Sequence, residues 1–253
     1  MVKMRVVRPR AAARTWEPAI ETPGDPPGLV EMLATDEEAR MYMETMRLGL
    51  RLQAAGAVVL TLHGRTKEEK KNFCRECDWQ AIAALKRVVS IPVVANGGIE
   101  TAEDFKRCLA VTKADAVMSS EAALENPAIF GGAPVTRLGQ ARLAREYIEL
   151  TRQHMPRCPS VVKAHLFKLL YMALEAQPEL RSKLGSTSSL ASIYEVAESV
   201  LKLEVEEAAQ SPDLMNARCD VPGSPFVSWY RRHRPYTIGS CLGDEPIPAN
   251  AHP

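Results

Sequence analysis

Three short apolar runs, each closed by a polar or glycine loop and followed by a helix-patterned stretch, restrict this chain more than any other feature of its sequence. They are Ala57-Val58-Val59-Leu60-Thr61-Leu62, Ile91-Pro92-Val93-Val94-Ala95 and Ala114-Asp115-Ala116-Val117-Met118. Nearly continuous apolar runs of this length fit strands covered on both faces, as in a parallel sheet. Strand, polar loop and helix in repetition imply an α/β layer fold with right-handed crossovers. Val2-Lys3-Met4-Arg5-Val6-Val7 alternates like a further strand and brings the expected core to four strands.

Local signals divide the rest. Residues 8–34 hold Pro9, Pro18, Pro23, Pro26 and Pro27, which break helix and strand alike, and read as a mobile insertion. Thr35-Asp36-Glu37-Glu38 fits a capping box for a helix whose Met43, Met46, Leu50 and Ala54 share one face and which Gly56 ends. Helices are expected from Trp79 to Val89 and behind Thr101, which Asp104 completes as a cap. Gly131-Gly132-Ala133-Pro134 marks a boundary. From 135 to 210 the pattern is helical only, with stripes at Leu143, Tyr147 and Leu150, at Leu166, Leu169, Leu170 and Ala173, and at Val196, Val200 and Leu203. Residues 211–253, rich in Pro, Gly and polar residues, read as a disordered tail.

Composition narrows the class. A chain of 253 residues that is 46% hydrophobic, with a net charge of +1, is neither wholly disordered nor basic enough overall to advertise nucleic acid, so any such site must be a local patch. No apolar stretch reaches the ~18 residues a membrane span requires, and Met1-Val2-Lys3-Met4-Arg5 has no long apolar region of a secretory signal. Six cysteines without framework spacing fit a reducing compartment, so the expected location is the cytoplasm, with the nucleus as an option.

In α/β folds ligands sit at the carboxyl ends of the strands, so the loops after the runs carry the candidates. A lone His63 is more often a core histidine on a backbone carbonyl. Arg65, two residues on and beside Gly64, makes the pair suited to an electron-rich ring or an anion. Asn96-Gly97-Gly98 before a capped helix can aim amides at a phosphate, although a simple turn needs the same residues. Cys74-Arg75-Glu76-Cys77 has no second ligand pair and reads as two ordinary loop cysteines. Lys163, His165 and Lys168, with Arg181 and Lys183, form a charged helix face that touches RNA only if it faces the strand ends. Trp229-Tyr230-Arg231-Arg232-His233-Arg234 mixes aromatics with cations, as single-stranded nucleic-acid sites do.

Taken together, Leu60-Thr61-Leu62-His63-Gly64-Arg65-Thr66-Lys67, Ile91-Pro92-Val93-Val94-Ala95-Asn96-Gly97-Gly98-Ile99, and Val117-Met118-Ser119-Ser120-Glu121 with Asn126-Pro127 resemble the tRNA-dihydrouridine synthases. Ser120-Glu121 and Ala164-His165-Leu166-Phe167-Lys168-Leu169 most resemble the eukaryotic branch that acts at tRNA positions 16 and 17, and Lys3-Met4-Arg5 is similar to the family's Lys-x-Arg strand. The resemblance implies an FMN-binding (β/α)8 barrel followed by a helical tRNA-binding domain. NADPH reduces FMN, hydride passes to C6 of a uracil in the D-loop, and a cysteine protonates C5. By the same resemblance Lys3 and His63 would donate to the isoalloxazine edge. Amides around Asn96, Gly97, Gly98, Ser120 and Glu121 would hold the FMN phosphate. Arg65 would lie near the flavin or the base, and Lys163, His165 and Lys168 would touch tRNA.

The chain departs from that pattern in two places. Many members carry Gly-Arg where Ser120-Glu121 stands, and the Met-Ala-Pro-Met strand, the flavin-binding Gln and the Asn-x-Gly-Cys-Pro loop of the catalytic cysteine do not occur in these 253 residues. The expected fold is therefore a partial TIM barrel of about the last four βα units over 1–134, a helical domain over 135–210 and a tail. No catalytic residue is assigned. Two functional readings follow, a synthase that is inactive as this chain alone and a non-catalytic RNA-binding remnant; a different FMN or phosphate barrel is a third, against which the helical segment argues. Val58 and Leu60 are expected to face inward without a covering layer, so self-association or pairing with a separate amino-terminal half-barrel is expected.

Overall fold

The computed structural model describes residues 1–7, 41–69 and 76–233, together with positions 23, 25, 29, 31 and 35. Strands β1 (Val2–Arg5), β2 (Leu60–His63), β3 (Val93–Asn96) and β4 (Ala116–Met118) form one sheet in the order β1-β2-β3-β4. Every pairing is parallel, with Lys3 opposite Thr61, His63 opposite Asn96, and Asn96 opposite Met118. Helices α1 (Met43–Ala54), α2 (Trp79–Val88) and α3 (Ala102–Thr112) make the connections. The fold is thus α/β with a parallel four-stranded sheet, as the strand–loop–helix rhythm requires.

The two sheet faces differ, and this corrects the expectation of strands buried on both sides. Met4, Leu60, Leu62, Val93 and Ala95 are buried in the cluster that also holds Ile82 and Leu85 of α2, so this face is covered by helices. The opposite face carries Lys3, Arg5, Thr61, His63, Val94, Asn96, Ala116 and Met118, of which Lys3, Arg5 and Ala116 are exposed. Leu60 therefore points at the helices. Val58 precedes β2 and is 68% exposed. Across this open face Lys3 Nζ on β1 reaches to 3.8 Å from Met118 Sδ on β4.

Of the three connecting helices, two start at side-chain caps and one does not. Asp78 Oδ1 accepts from the Ala81 amide at 3.0 Å, and Thr101 and Asp104 form a reciprocal capping box. α1 begins instead at Met43 behind Tyr42 with no side-chain cap; Thr35 is itself helical, and its hydroxyl donates to the Glu31 carbonyl. Glu38 lies outside the described residues, as does most of the 8–34 insertion. Where that insertion is described it is docked, since Asp25 pairs with Arg47 at 3.1 Å and Arg51 at 3.0 Å, and Leu29 is buried in the sheet's core.

After β4 come α4 (Glu121–Glu125), a 3-10 turn (Ile129–Gly131), and helices α5 (Arg137–Gln153), α6 (Pro159–Leu169), α7 (Tyr171–Ala176), α8 (Pro178–Ser186), α9 (Leu190–Gln210) and α10 (Pro212–Met215). A second apolar cluster joins α5, α6, α7, α8 and α9. On α5 the buried stripe is Ala141, Ala144, Ile148 and Thr151, with Leu143 and Tyr147 at its margin and Leu150 47% exposed. Small residues win the seam because α5 packs closely on α6 and α9, a choice that residue hydrophobicity alone does not reveal. Arg137, 3% exposed, pairs bidentately with the fully buried Glu204 at 2.6 and 2.8 Å and also with Glu207, so the two ends of this helical segment are tied by a buried ion cluster.

The disordered-tail reading from 211 onward is corrected as far as His233. The Cys219 amide donates to the Val135 carbonyl at 2.8 Å, and Phe226 packs on Val135, Met172 and Cys219. Tyr230 enters the sheet's own core cluster, its amide donates to Glu125 Oε2 at 3.0 Å, and Arg231 Nε donates to Glu100 Oε1 at 2.8 Å. These partners lie 105 and 131 residues away along the chain, so no local pattern announces them. No helix among the described residues is long and apolar enough to cross a membrane.

Candidate functional site

The open face of the sheet gathers the candidates from β1 and β2. His63 ends β2, and Arg65 Nη1 lies 3.4 Å from its Nε2. A guanidinium can only donate, so Nε2 is the accepting nitrogen and Nδ1 carries the proton of the neutral ring. Burial first, then the charges of Arg5, Arg65 and Lys3, push the His63 pKa down to about 4, against a smaller opposite pull from Glu121. The imidazole is therefore neutral at physiological pH, with one N–H to offer.

Beside it the chain is fitted closely. A Cβ on Gly64 would lie 2.6 Å from both the Asp78 carbonyl oxygen and Cys77 Sγ, so no side chain can stand there without moving the 76–78 segment. Gly97 has φ +102, and a Cβ would come within 2.8 Å of Cys77 Sγ and His63 Cδ2. Both left-handed backbone and close approach thus demand glycine. The Trp79 indole N–H donates to the Gly97 carbonyl at 3.1 Å and holds the loop. Val6, Gly64, Arg65, Thr66, Glu69, Glu76, Cys77 and Asp78 line a polar cavity of about 320 Å³ at the carboxyl ends of β1 and β2.

The loops after β3 and β4 are tied together. Asn96 Nδ2 donates to the Met118 carbonyl at 2.8 Å, and Ser119 Oγ donates to the Ile99 carbonyl at 3.1 Å. Ser120 is the residue before α4, with no side-chain cap bond, and Glu121 opens that helix. Asn96, Gly97, Gly98, Ser120 and Glu121 therefore lie on two adjacent loops on the strand-end side, next to His63.

Two residues, Thr61 and Arg5, carry no assigned role from sequence, and a third, Cys77, reads there as an ordinary loop cysteine. Thr61, fully buried on the open face between Lys3 and Val94, has a hydroxyl with no partner among the described residues. Its position in an apolar run hid it; alternation from His63 would have found it. Arg5 donates to the Thr66 carbonyl at 2.9 Å and adds charge to His63. Cys77 packs against Gly97, and burial pushes its thiol up to about 12, so it is a poor proton donor. Cys74 lies outside the described residues.

The helical candidates separate. Lys163 Nζ donates to the carbonyls of Gly185 at 3.0 Å and Thr187 at 2.7 Å, closing the end of α8. His165 Nδ1 meets the Tyr147 hydroxyl at 2.7 Å. Lys168 lies 5.4 Å from the centre of the Trp229 ring. The three side chains meet different parts of the chain: the end of α8, Tyr147 on α5, and Trp229. Among the described residues no group of three His, Cys, Asp or Glu is placed to hold a metal ion.

The chain as a whole is similar to known proteins. Residues 33–210 match the family model described as Dihydrouridine synthase (Dus). The Mus musculus protein named tRNA-dihydrouridine(16/17) synthase, NAD(P)(+)-like, is 40% identical over 166 residues, covering 65% of this chain and 34% of that protein. The tRNA-dihydrouridine(16/17) synthase, NAD(P)(+), of Schizosaccharomyces pombe is 32% identical over 195 residues, 70% of this chain and 49% of that protein. Its Saccharomyces cerevisiae counterpart is 32% identical over 172 residues, 63% of this chain and 41% of that protein. The chain thus spans between about a third and a half of the length of these relatives. With well over half of its residues inside the family match, the chain belongs to the dihydrouridine synthase family.

Proposed function

We propose that this chain supplies the carboxyl-terminal half-barrel and the helical segment of an FMN-dependent tRNA-dihydrouridine synthase, reducing uridine in the D-loop with NADPH as reductant. The observation that carries the reading is that Lys3, Thr61 and His63 share one sheet face, with Arg65 against His63 beside the Gly97-Gly98 loop. The orphaned Thr61 hydroxyl on that face suits an additional polar partner. When bound, FMN supplies a ring that takes hydride from NADPH and passes it to uracil C6.

The chain's own residues divide the binding work. Lys3 and the Nδ1–H of His63 offer donors to an electron-rich ring edge. Arg65 holds His63 in that tautomer and lends positive charge. The Asn96–Gly98 loop and the backbone of Ser120 and Glu121 offer amides to a phosphate, with the Glu121 carboxylate as the opposing charge.

The chain alone should form no dihydrouridine. The 253 residues hold no Asn-x-Gly-Cys-Pro loop, and the raised Cys77 thiol, packed against Gly97, is poorly suited to protonate C5. The test is to incubate the purified chain with unmodified tRNA, FMN and NADPH, alone and with the amino-terminal half of a relative. Product only in the combined reaction supports the proposal. Product from the chain alone contradicts it.

A further inference from the structure

Residues 211–233 lie beyond the part of the chain that matches the family, and the proposed flavin site does not use them, yet they are docked at both ends. On the helical side the Cys219 amide donates to the Val135 carbonyl at 2.8 Å, Arg218 bridges to Thr136, and Phe226 packs in a cluster with Met172 of α7. On the sheet side Tyr230 joins the core cluster that holds Ile99, Ala122 and Ile129. The segment therefore crosses from the helices to the turns that follow β3 and β4.

Both anchors on the sheet side grip those turns. Arg231 Nε donates to Glu100 Oε1 at 2.8 Å and its Nη2 pairs with Oε2, and Glu100 directly follows Gly97-Gly98-Ile99. The Tyr230 amide donates to Glu125 Oε2 at 3.0 Å, and Glu125, fully buried, ends the short helix α4 that Ser120 precedes. Ser119 Oγ donates to the Ile99 carbonyl and closes the circuit between the two turns.

The turns need such a hold. Gly97 and Gly98 have φ values of +102 and +73, and glycine has the most backbone freedom to lose on ordering. The Trp79 indole fixes the Gly97 carbonyl from one side. On the other side the Asp104 carboxylate accepts from the Glu100 and Thr101 amides, and the buried Glu100 side chain turns to Arg231. Burial pushes the Glu100 carboxyl up, and Arg231 pulls it back down against Asp104 and Asp220. Without Arg231 a buried carboxylate would stand beside Asp104, and the turn would have to move to bring it to water.

We infer that residues 219–233 form a strap that positions the loops after β3 and β4 for the phosphate of FMN, with Arg231 and the Tyr230 amide as its positioning groups. The ligand of those loops rests on the proposed function. The strap acts through Glu100 and Glu125, and through Phe226 it makes the loop geometry depend on the helical segment.

The test compares FMN with riboflavin, which has the same ring and no phosphate, by titration of the full chain, alongside amide hydrogen exchange without ligand. The unaltered chain should bind FMN more tightly than riboflavin. Arg231→Ala should weaken FMN binding about 3- to 10-fold, the cost of roughly one ordered hydrogen bond, and leave riboflavin binding unchanged. Exchange should rise at 97–101 and 119–125 in that variant. Arg231→Lys should recover most of the FMN affinity. Glu100→Gln, which strands no buried charge, should act like Arg231→Ala and serves where the latter fails to fold. Lys202→Ala, on exposed α9, should bind both flavins like the unaltered chain. Unchanged exchange in those two segments, unchanged FMN affinity, or equal weakening of both flavins in a folded anchor variant would overturn the strap and leave the proposed function standing. No saturable FMN binding by the unaltered chain, or no preference for FMN over riboflavin, would overturn both.

Discussion

Arg65 and His63 form a donor–acceptor pair, Nη1 to Nε2 at 3.4 Å, at the point where β2 leaves the sheet. The pair fixes a tautomer and a charge state together. His63 should stay neutral to about pH 4, because burial and three nearby cations all disfavour its protonation. The unfolded chain takes that proton near the ordinary value of 6.5, so this contribution to stability is lost as pH falls from about 6.5 towards 4. NMR titration of the His63 ring should show this, and Arg65→Gln should move the midpoint upward. A midpoint near 6.5 in the unaltered chain would refute the pairing.

Glu125 titrates in the opposite sense. Burial foremost raises its pKa to about 7, above the ordinary 4.5, so the folded state binds the proton more tightly than the unfolded state does. Its contribution is full at low pH and is lost as pH rises from about 4.5 through 7. A shift of this size corresponds to roughly 3 kcal/mol. Glu125→Gln should flatten the fall of stability with pH across that window, measured by urea melts. A parallel pH profile in the variant would place the titration elsewhere.

Removing Arg137 should be among the most damaging single changes. Arg137→Met leaves the Glu204 carboxylate buried without its partner, a loss of about 3–5 kcal/mol. Adding Glu204→Leu should recover most of it, since replacing both charges by apolar groups is often neutral. A double variant as unstable as the single one would show that the damage is not the stranded charge.

Much of this was legible in sequence, and the failures share a cause. The strand runs, the Thr101–Asp104 cap and the Asn96-Gly97-Gly98 loop are local features, and each stands where its chemistry puts it. The missed features are set by distant partners. Tyr230 is ordered by Glu125, and Lys163 is drawn to carbonyls of another helix. Leu60 faces helices because the sheet's other face carries Lys3, Thr61 and His63, a parity that an apolar run does not encode. Composition reads a Pro- and Gly-rich segment as free when a few buried anchors suffice to hold it.

Edge pairing remains the expected route to association. Among the described residues β1 pairs only with β2, and β4 only with β3. Open parallel edges template further strands, whereas the open face itself is largely polar. Sedimentation should therefore show self-association of the full chain that grows with concentration. A cooperatively melting monomer at every concentration would contradict the half-barrel reading.

Titration of the full chain with FMN, followed by flavin fluorescence, tests the central claim most directly. A half-walled site should bind FMN saturably but far more weakly than a whole synthase, since a ligand pocket normally encloses most of its ligand. His63→Ala and Lys3→Ala should each weaken binding several-fold, and Cys77→Ala should change it little. Absence of saturable binding, or His63→Ala and Lys3→Ala variants that bind like the unaltered chain, would contradict the account.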